Sequence, residues 1–188
     1  MHPKGTSFSA CGVIGETTLD IHIVLTGSDM LELKLLLLLL VANGAPILTR
    51  KLLEARFDLA LDGGQLTPKG KPWLGPSKTI RGLISAIMTT TLISPLLGFS
   101  LGFGFVFGLL AMAGDLLASF TKRRLGLASS SQAIGLDQIP ESLIPLIYCA
   151  YSLGLGWLSV FVTVLAFWIT EILLSRFLFR IGIRRHPY

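Results

Sequence analysis

"GLISAIMTTTLISPLLGFSLGFGFVFGLLAMAG", residues 82–114, runs for 33 residues without a charged side chain. A helix crossing the hydrocarbon core of a bilayer needs about 20 apolar residues, at roughly 1.5 Å of rise each. The run is too long for one pass, and it is interrupted near Pro95–Gly98. Read on through Asp115 to Phe120, it holds two short spans joined by a tight hairpin.

The same arithmetic extends to the rest of the chain. Residues 142–170 form 29 uncharged positions, broken at Gly154–Leu155–Gly156. Extended to Gln138 and Ser175, they hold two more spans. "LELKLLLLLLVANGAPIL", residues 31–48, supplies the first, with Asn43–Gly44–Ala45–Pro46 inside it. The 188 residues are 52% hydrophobic and 14% charged, with mean hydropathy +0.71. Soluble domains carry about 25% charged residues, so the expected fold is an all-α integral membrane protein with five transmembrane helices. Residues 30–188 would form one membrane domain with loops at 49–81 and 121–137.

Charge sets the expected orientation. Loop 49–81 holds seven cations, loop 121–137 three and the C-terminal tail four, so 14 of the 16 Lys and Arg residues share one face. The positive-inside rule puts that face in the cytoplasm, with the N-terminus outside and the C-terminus inside. This predicts a multi-pass protein of the cell membrane. Residues 1–29 have one lysine and no continuous apolar core of signal-peptide length. They read as a dispensable extension or an upstream start, with Met30 directly before the first span. Cys11 and Cys149 are far apart, and neither a disulfide framework nor a zinc site follows from them. His2, His22 and His186 lie in terminal segments, where solvation is their expected state.

Polar groups collect at the cytoplasmic edge. In "GDLLASFTKRRLGLASSSQAIGLDQIPESL", residues 114–143, Asp115 closes a long apolar run. An acid at the bilayer centre costs about 2.5–3.5 kcal/mol, and such residues face a cavity or a partner. Ser119, Lys122 and Arg123 follow at helical spacing on the same face. Asp137 opens the next span. A cation run of this kind also anchors helix ends, a buried acid also serves structural hydrogen bonds, and Asp137 alone also reads as a loop acid. In the first loop, "LDGGQLTPKGKPWLGPSKTIRG", residues 61–82, Lys78, Thr79 and Arg81 stand where a span begins. Backbone N–H groups at a helix start, with cations and a hydroxyl, suit phosphate oxygens. The GPSKT stretch lacks the spacing and the preceding strand of a Walker A loop. Two acids beside many cations suit Mg²⁺, which takes one or two carboxylates plus substrate phosphates.

"NGAPIL", "DGG…KPWLGPSKTIRG" and "GDLLASFTKRRLGL…GLDQIPESLIPL" together resemble the CDP-archaeol synthase family, relatives of the larger phosphatidate cytidylyltransferases. The resemblance covers roughly Leu31 to Leu174. It implies a five-span enzyme that uses CTP and Mg²⁺ to convert an unsaturated isoprenoid ether-lipid phosphate to its CDP form. It further implies metal binding by Asp115 and Asp137, and phosphate contacts from Lys122, Arg123, Lys78 and Arg81. Ser77, Thr79, Ser119, Arg124, Gln138 and Asn43 match the remaining polar positions of the family pattern. Lys69–Gly70–Lys71–Pro72 stands where an Asp-Gly-Arg-Pro-like stretch is expected. The expected partners are CTP and a membrane lipid phosphate, with no nucleic acid. Two other readings stay open: a phosphatidate cytidylyltransferase making CDP-diacylglycerol, and a small transporter or lipid-binding protein using Asp115 as a proton or cation site.

Overall fold

A computed structural model describes residues 27–182 apart from 55, 69, 129–132 and 134. The first 26 residues, and with them most of the expected extension, lie outside the described residues, as do the terminal cations Arg184 and Arg185. Among the described residues five α-helices follow one another: α1 (Gly27–Leu53), α2 (Ile80–Ile93), α3 (Leu101–Arg124), α4 (Gln138–Ser152) and α5 (Trp157–Arg180). Among the described residues there is no strand, only the isolated bridges Ala60–Thr79 and Leu66–Pro72 in the loop before α2. The all-helical membrane class read from hydropathy is the observed one.

The predicted breaks are where the helices end. After α2 a 3₁₀ turn, Ser94–Leu97, carries Pro95 in its first residues, and Gly98 closes it at φ 86°. That left-handed backbone suits glycine, which has no Cβ to clash there. Ser100 then caps α3, its hydroxyl accepting from the Phe103 N–H at 3.1 Å. α1 exceeds the expected 31–48 at both ends, running through Pro46 to Leu53. It begins three residues before Met30, so Gly27–Asp29 belong to the helix.

Among the described residues four helices are long and apolar enough to cross a membrane: Asp29–Leu53, Ile80–Leu97, Leu101–Arg124 and Trp157–Arg180. α4, with 15 residues, extends only about 22 Å at 1.5 Å per residue, against a hydrocarbon core of about 30 Å.

Consecutive helices pack neighbour on neighbour, and α5 returns to α1, closing a ring. Leu35, Leu38 and Leu39 of α1, Phe107 of α3, Leu146 and Cys149 of α4 and Phe167 of α5 form its apolar core. In lipid there is little hydrophobic drive between helices, so close approach through small residues matters more. α3 shows this twice. A Cβ added to Gly108 would lie 3.1 Å from the Thr90 Cβ and 3.2 Å from the Ile87 Cα on α2. A Cβ on Gly114 would meet the Pro140 carbonyl oxygen and stand 2.6 Å from the Glu141 Cα on α4. Gly114 thus sets α4 hard against α3 next to Asp115.

The two ends of the bundle differ in charge. Lys34 reaches the 3₁₀ turn at Gly98. Arg50, Lys71, Lys78, Arg81 and Lys122–Arg124 belong to the other end, where the loops before α2 and α4 lie.

Candidate active site at the charged end of the bundle

The loop before α2 is organised by one carboxylate. Asp62 accepts backbone N–H groups from Gly64 at 3.0 Å and from Leu74 and Gly75 at 2.9 Å each. The DGG and WLG segments are thereby tied together, with Gly75 at φ 89° making the turn. Partial burial would raise the Asp62 carboxyl, but these N–H donors outweigh it and hold the group below its ordinary value of 3.8. Main-chain bonds from Leu61 N–H to the Lys78 carbonyl and from Ile80 N–H to the Leu59 carbonyl complete the frame. Thr79 is the N-cap of α2, its Oγ1 accepting from Gly82 N–H at 3.1 Å. So the SKT stretch is presented at a helix start, the arrangement that favours anions.

Two ion pairs join the expected site residues. Lys78 donates to both oxygens of Asp115 at 2.6 Å, with side chains 23% and 24% exposed. Lys122 Nζ lies 2.6 Å from Asp137 Oδ1. Burial would lower the Lys78 ammonium, but Asp115 outweighs it and holds the group above its ordinary value of 10.5. Glu141 and Asp137 also lie within electrostatic reach of Lys78. Lys78 is therefore the point at which α3, α4 and the first loop converge.

Other expected site residues have different surroundings. Arg81 is 9% exposed; it donates to the Glu54 carbonyl at 3.0 Å, to the Arg56 carbonyl, and to Asp58 Oδ1 at 3.1 Å. It staples the end of α1 to α2. Arg123 donates to the Leu127 and Ala128 carbonyls at 2.8 and 3.0 Å, closing the end of α3. Arg124 stacks over Trp73 and Phe120 and donates to the Pro72 carbonyl at 2.7 Å. Lys71 Nζ returns a 3.2 Å bond to the Arg124 carbonyl. This aromatic and cationic contact docks the first loop onto α3. Gln138 accepts from Gly135 N–H at 2.9 Å, shaping the entry to α4. Ser119 is buried one turn beyond Asp115. Asn43 is half-buried on α1, and Ser77 lines a cavity with Lys78 and Thr79.

That cavity opens between α1, α2 and α3. Its walls include Pro46, Leu83, Met112 and Leu116 on the apolar side, and Arg50, Ser77, Lys78 and Asp115 on the polar side. Half-polar, half-apolar lining suits an amphipathic ligand.

Glu141 was not among the residues singled out from sequence. It is 3% exposed, and its Oε1 has no hydrogen-bond partner among the described residues. Its carboxyl is within electrostatic reach of Asp115, Glu171, Lys78 and Asp137. Its spacing carries the missing signal, because Glu141 follows Asp137 by four and shares its helical face.

The donor set fits Mg²⁺. Asp115 and Asp137 each already hold a cationic group, and within their electrostatic reach lies the buried Glu141 Oε1, which has no donor among the described residues. Among the described residues no three His, Cys, Asp or Glu side chains converge to hold a metal by themselves. Mg²⁺ does not require such a cage, since phosphates and water complete its shell.

Over residues 58–188 the chain matches the CarS-like family, described as CDP-archaeol synthase. The CDP-archaeol synthase of Sulfurisphaera tokodaii is 37% identical over 157 residues, covering 79% of this chain and 84% of the relative. That of Methanopyrus kandleri is 35% identical over 127 residues, covering 60% and 72%. A solved structure of an intramembrane enzyme for archaeal membrane lipids biosynthesis aligns with TM-score 0.61 at 25% identity, covering 74% of this chain and 91% of that one.

Proposed function

Because the chain belongs to the CDP-archaeol synthase family, we propose that it transfers the cytidylyl group of CTP to a membrane lipid phosphate. The products are a CDP-lipid and pyrophosphate. The observation that carries this is the pair of Lys–Asp contacts, Lys78–Asp115 and Lys122–Asp137, at one end of an apolar bundle. They offer carboxylates for a metal and ammonium groups for phosphates at the level where a soluble nucleotide meets a lipid head group.

The reaction is an in-line displacement. A phosphate oxygen of the lipid forms a bond to the α-phosphorus of CTP, the bond from that phosphorus to the bridging oxygen breaks, and pyrophosphate leaves with the electron pair. No covalent enzyme intermediate is required, so the chain contributes positioning and charge neutralisation. Lys78 and Lys122 hold phosphate oxygens with charge-assisted hydrogen bonds. Thr79 and the start of α2 add N–H dipoles, and Ser77 and Ser119 add hydroxyls. Asp115 and Asp137 are the residues that would hold Mg²⁺, which neutralises charge on the triphosphate and its leaving group. Arg81, Arg123, Arg124 and Gln138 act one step away, fixing the loops that carry these groups. Asn43 adds a polar group on α1, one turn before Pro46 of the cavity wall.

The chain crosses the cell membrane five times, with α4 as a short fourth span and the active end in the cytoplasm. Cation asymmetry between the two ends supports this orientation. Residues 1–29, whose last three form the start of α1, are dispensable for transfer. An unsaturated archaeol-type ether-lipid phosphate is the acceptor. Purified protein in detergent, given CTP, Mg²⁺ and either a geranylgeranyl ether-lipid phosphate or phosphatidate, tests it. The ether lipid should be converted preferentially. Preference for phosphatidate would make the enzyme a CDP-diacylglycerol synthase, and no product with either would sink the transferase reading.

A further inference from the structure

We propose that Arg50 is the residue that receives the phosphate group of the lipid substrate, in the cavity between α1, α2 and α3. This rests on the cytidylyltransferase reading above. Three cations and two acids line that cavity: Arg50, Lys78, Arg81, Asp58 and Asp115. Lys78 is paired with Asp115, and Arg81 with Asp58. Arg50 is left over, with no hydrogen bond or ion pair to any described residue, and it gives the cavity one uncompensated positive charge.

Its place on the fold selects the lipid rather than the nucleotide. Arg50 lies in the last turn of α1, whose neighbouring Leu48, Leu52 and Leu53 are exposed. Asn43, Pro46 and Arg50 recur at helical spacing on one face. Pro46 packs toward α2, lying 3.5 Å from where a Gly82 Cβ would be. That close approach brings the end of α1 to the mouth of the cavity. Pro46, Leu83, Met112 and Leu116 give an apolar wall for the first atoms of a lipid, and Arg50 stands at its polar rim. Lys122 and Asp137 pair at the α3–α4 connection and do not line this cavity. An arginine fork matches a phosphate monoester with two parallel N–H donors, a geometry lysine cannot copy.

Arg50→Gln and Arg50→Lys are compared with the wild type in detergent, by steady-state kinetics and by thermal stabilisation with ether-lipid phosphate in the absence of CTP. Arg50→Gln should raise the KM for the lipid phosphate at least about tenfold, as expected for a lost charge-assisted contact, with the KM for CTP unchanged. It should also lose most of the lipid-induced stabilisation, and Arg50→Lys should recover part of both. The dephosphorylated lipid alcohol should stabilise wild type and variant alike. An unchanged lipid KM, or a rise confined to CTP, overturns the inference while leaving cytidylyl transfer intact. Absent transfer in the wild type counts against the transferase reading, and the stabilisation comparison then decides Arg50 by itself.

Discussion

Replacing Asp115 by Asn keeps the size of the side chain and removes its charge. In the native protein both carboxylate oxygens accept from Lys78 at 2.6 Å, and each side chain is about a quarter exposed. Exposed pairs of this kind contribute about 0–1 kcal/mol, whereas removing one partner of a fully buried pair costs about 3–5 kcal/mol. The intermediate exposure, and the amide oxygen that still accepts one bond, put the stability loss at about 1–2 kcal/mol. Lys78→Met alone should cost a similar amount. The double variant should lose less than the sum by about 1 kcal/mol, because the partners are in direct contact. Catalysis should follow a different pattern. A lost metal ligand removes about 3 kcal/mol or more of transition-state stabilisation, at least about a hundredfold in rate. Thermal unfolding in detergent beside CMP transfer separates the two readouts. The double variant should lose less stability than the two single losses summed, while transfer stays absent. Near-normal transfer by folded Asp115→Asn, or transfer that rises and falls with stability, would refute the metal-ligand assignment.

Three further outcomes follow from the geometry. Gly114→Ala should push α4 away from α3, since the new methyl meets the Pro140 carbonyl and the Glu141 Cα; a loss of about 2–3 kcal/mol in stability is expected from overpacking against backbone, read by thermal unfolding. Asp62 is held below 3.8 when folded, so its contribution is complete above that value and fades as pH falls through the lower folded value. Asp62→Asn should therefore weaken the protein at pH 7 and flatten the acid limb of its stability profile below about pH 4. A chain starting at Met30 should insert and keep CTP-dependent transfer; loss of transfer in a correctly inserted truncation would make residues 1–29 part of the working enzyme.

How far the sequence could be read varied with the length of the pattern. The breaks at Pro95–Gly98 and Gly154–Gly156 were legible because apolar runs too long for one pass must turn, and Pro and Gly mark where. The span count was less legible at α4, where 15 helical residues fall short of the usual length. Asp115 and Asp137 were visible as acids misplaced in apolar company. Their lysine partners were not, because Lys78 precedes Asp115 by 37 residues and only the fold brings them together. That pairing also alters what removing Asp115 does: the change leaves an ammonium without its carboxylate, rather than simply easing insertion of an apolar helix. Arg81 and Arg123 read as phosphate contacts from sequence, and composition could not show that both also donate to main-chain carbonyls, Arg81 doing so from the cavity wall. Arg50 was hidden for the converse reason, being one of seven loop cations until the cavity distinguished it.

The most direct test of the central claim follows the atoms of CTP. The protein is incubated with Mg²⁺, an ether-lipid phosphate and CTP labelled at either the α- or the γ-phosphorus, and the lipid is then extracted. Attack at the α-phosphorus predicts that the α label enters the lipid fraction and the γ label stays in water as pyrophosphate, in equal amounts. Lipid carrying the γ label would mean phosphoryl transfer, and label in neither position would mean that this site does not activate a lipid phosphate.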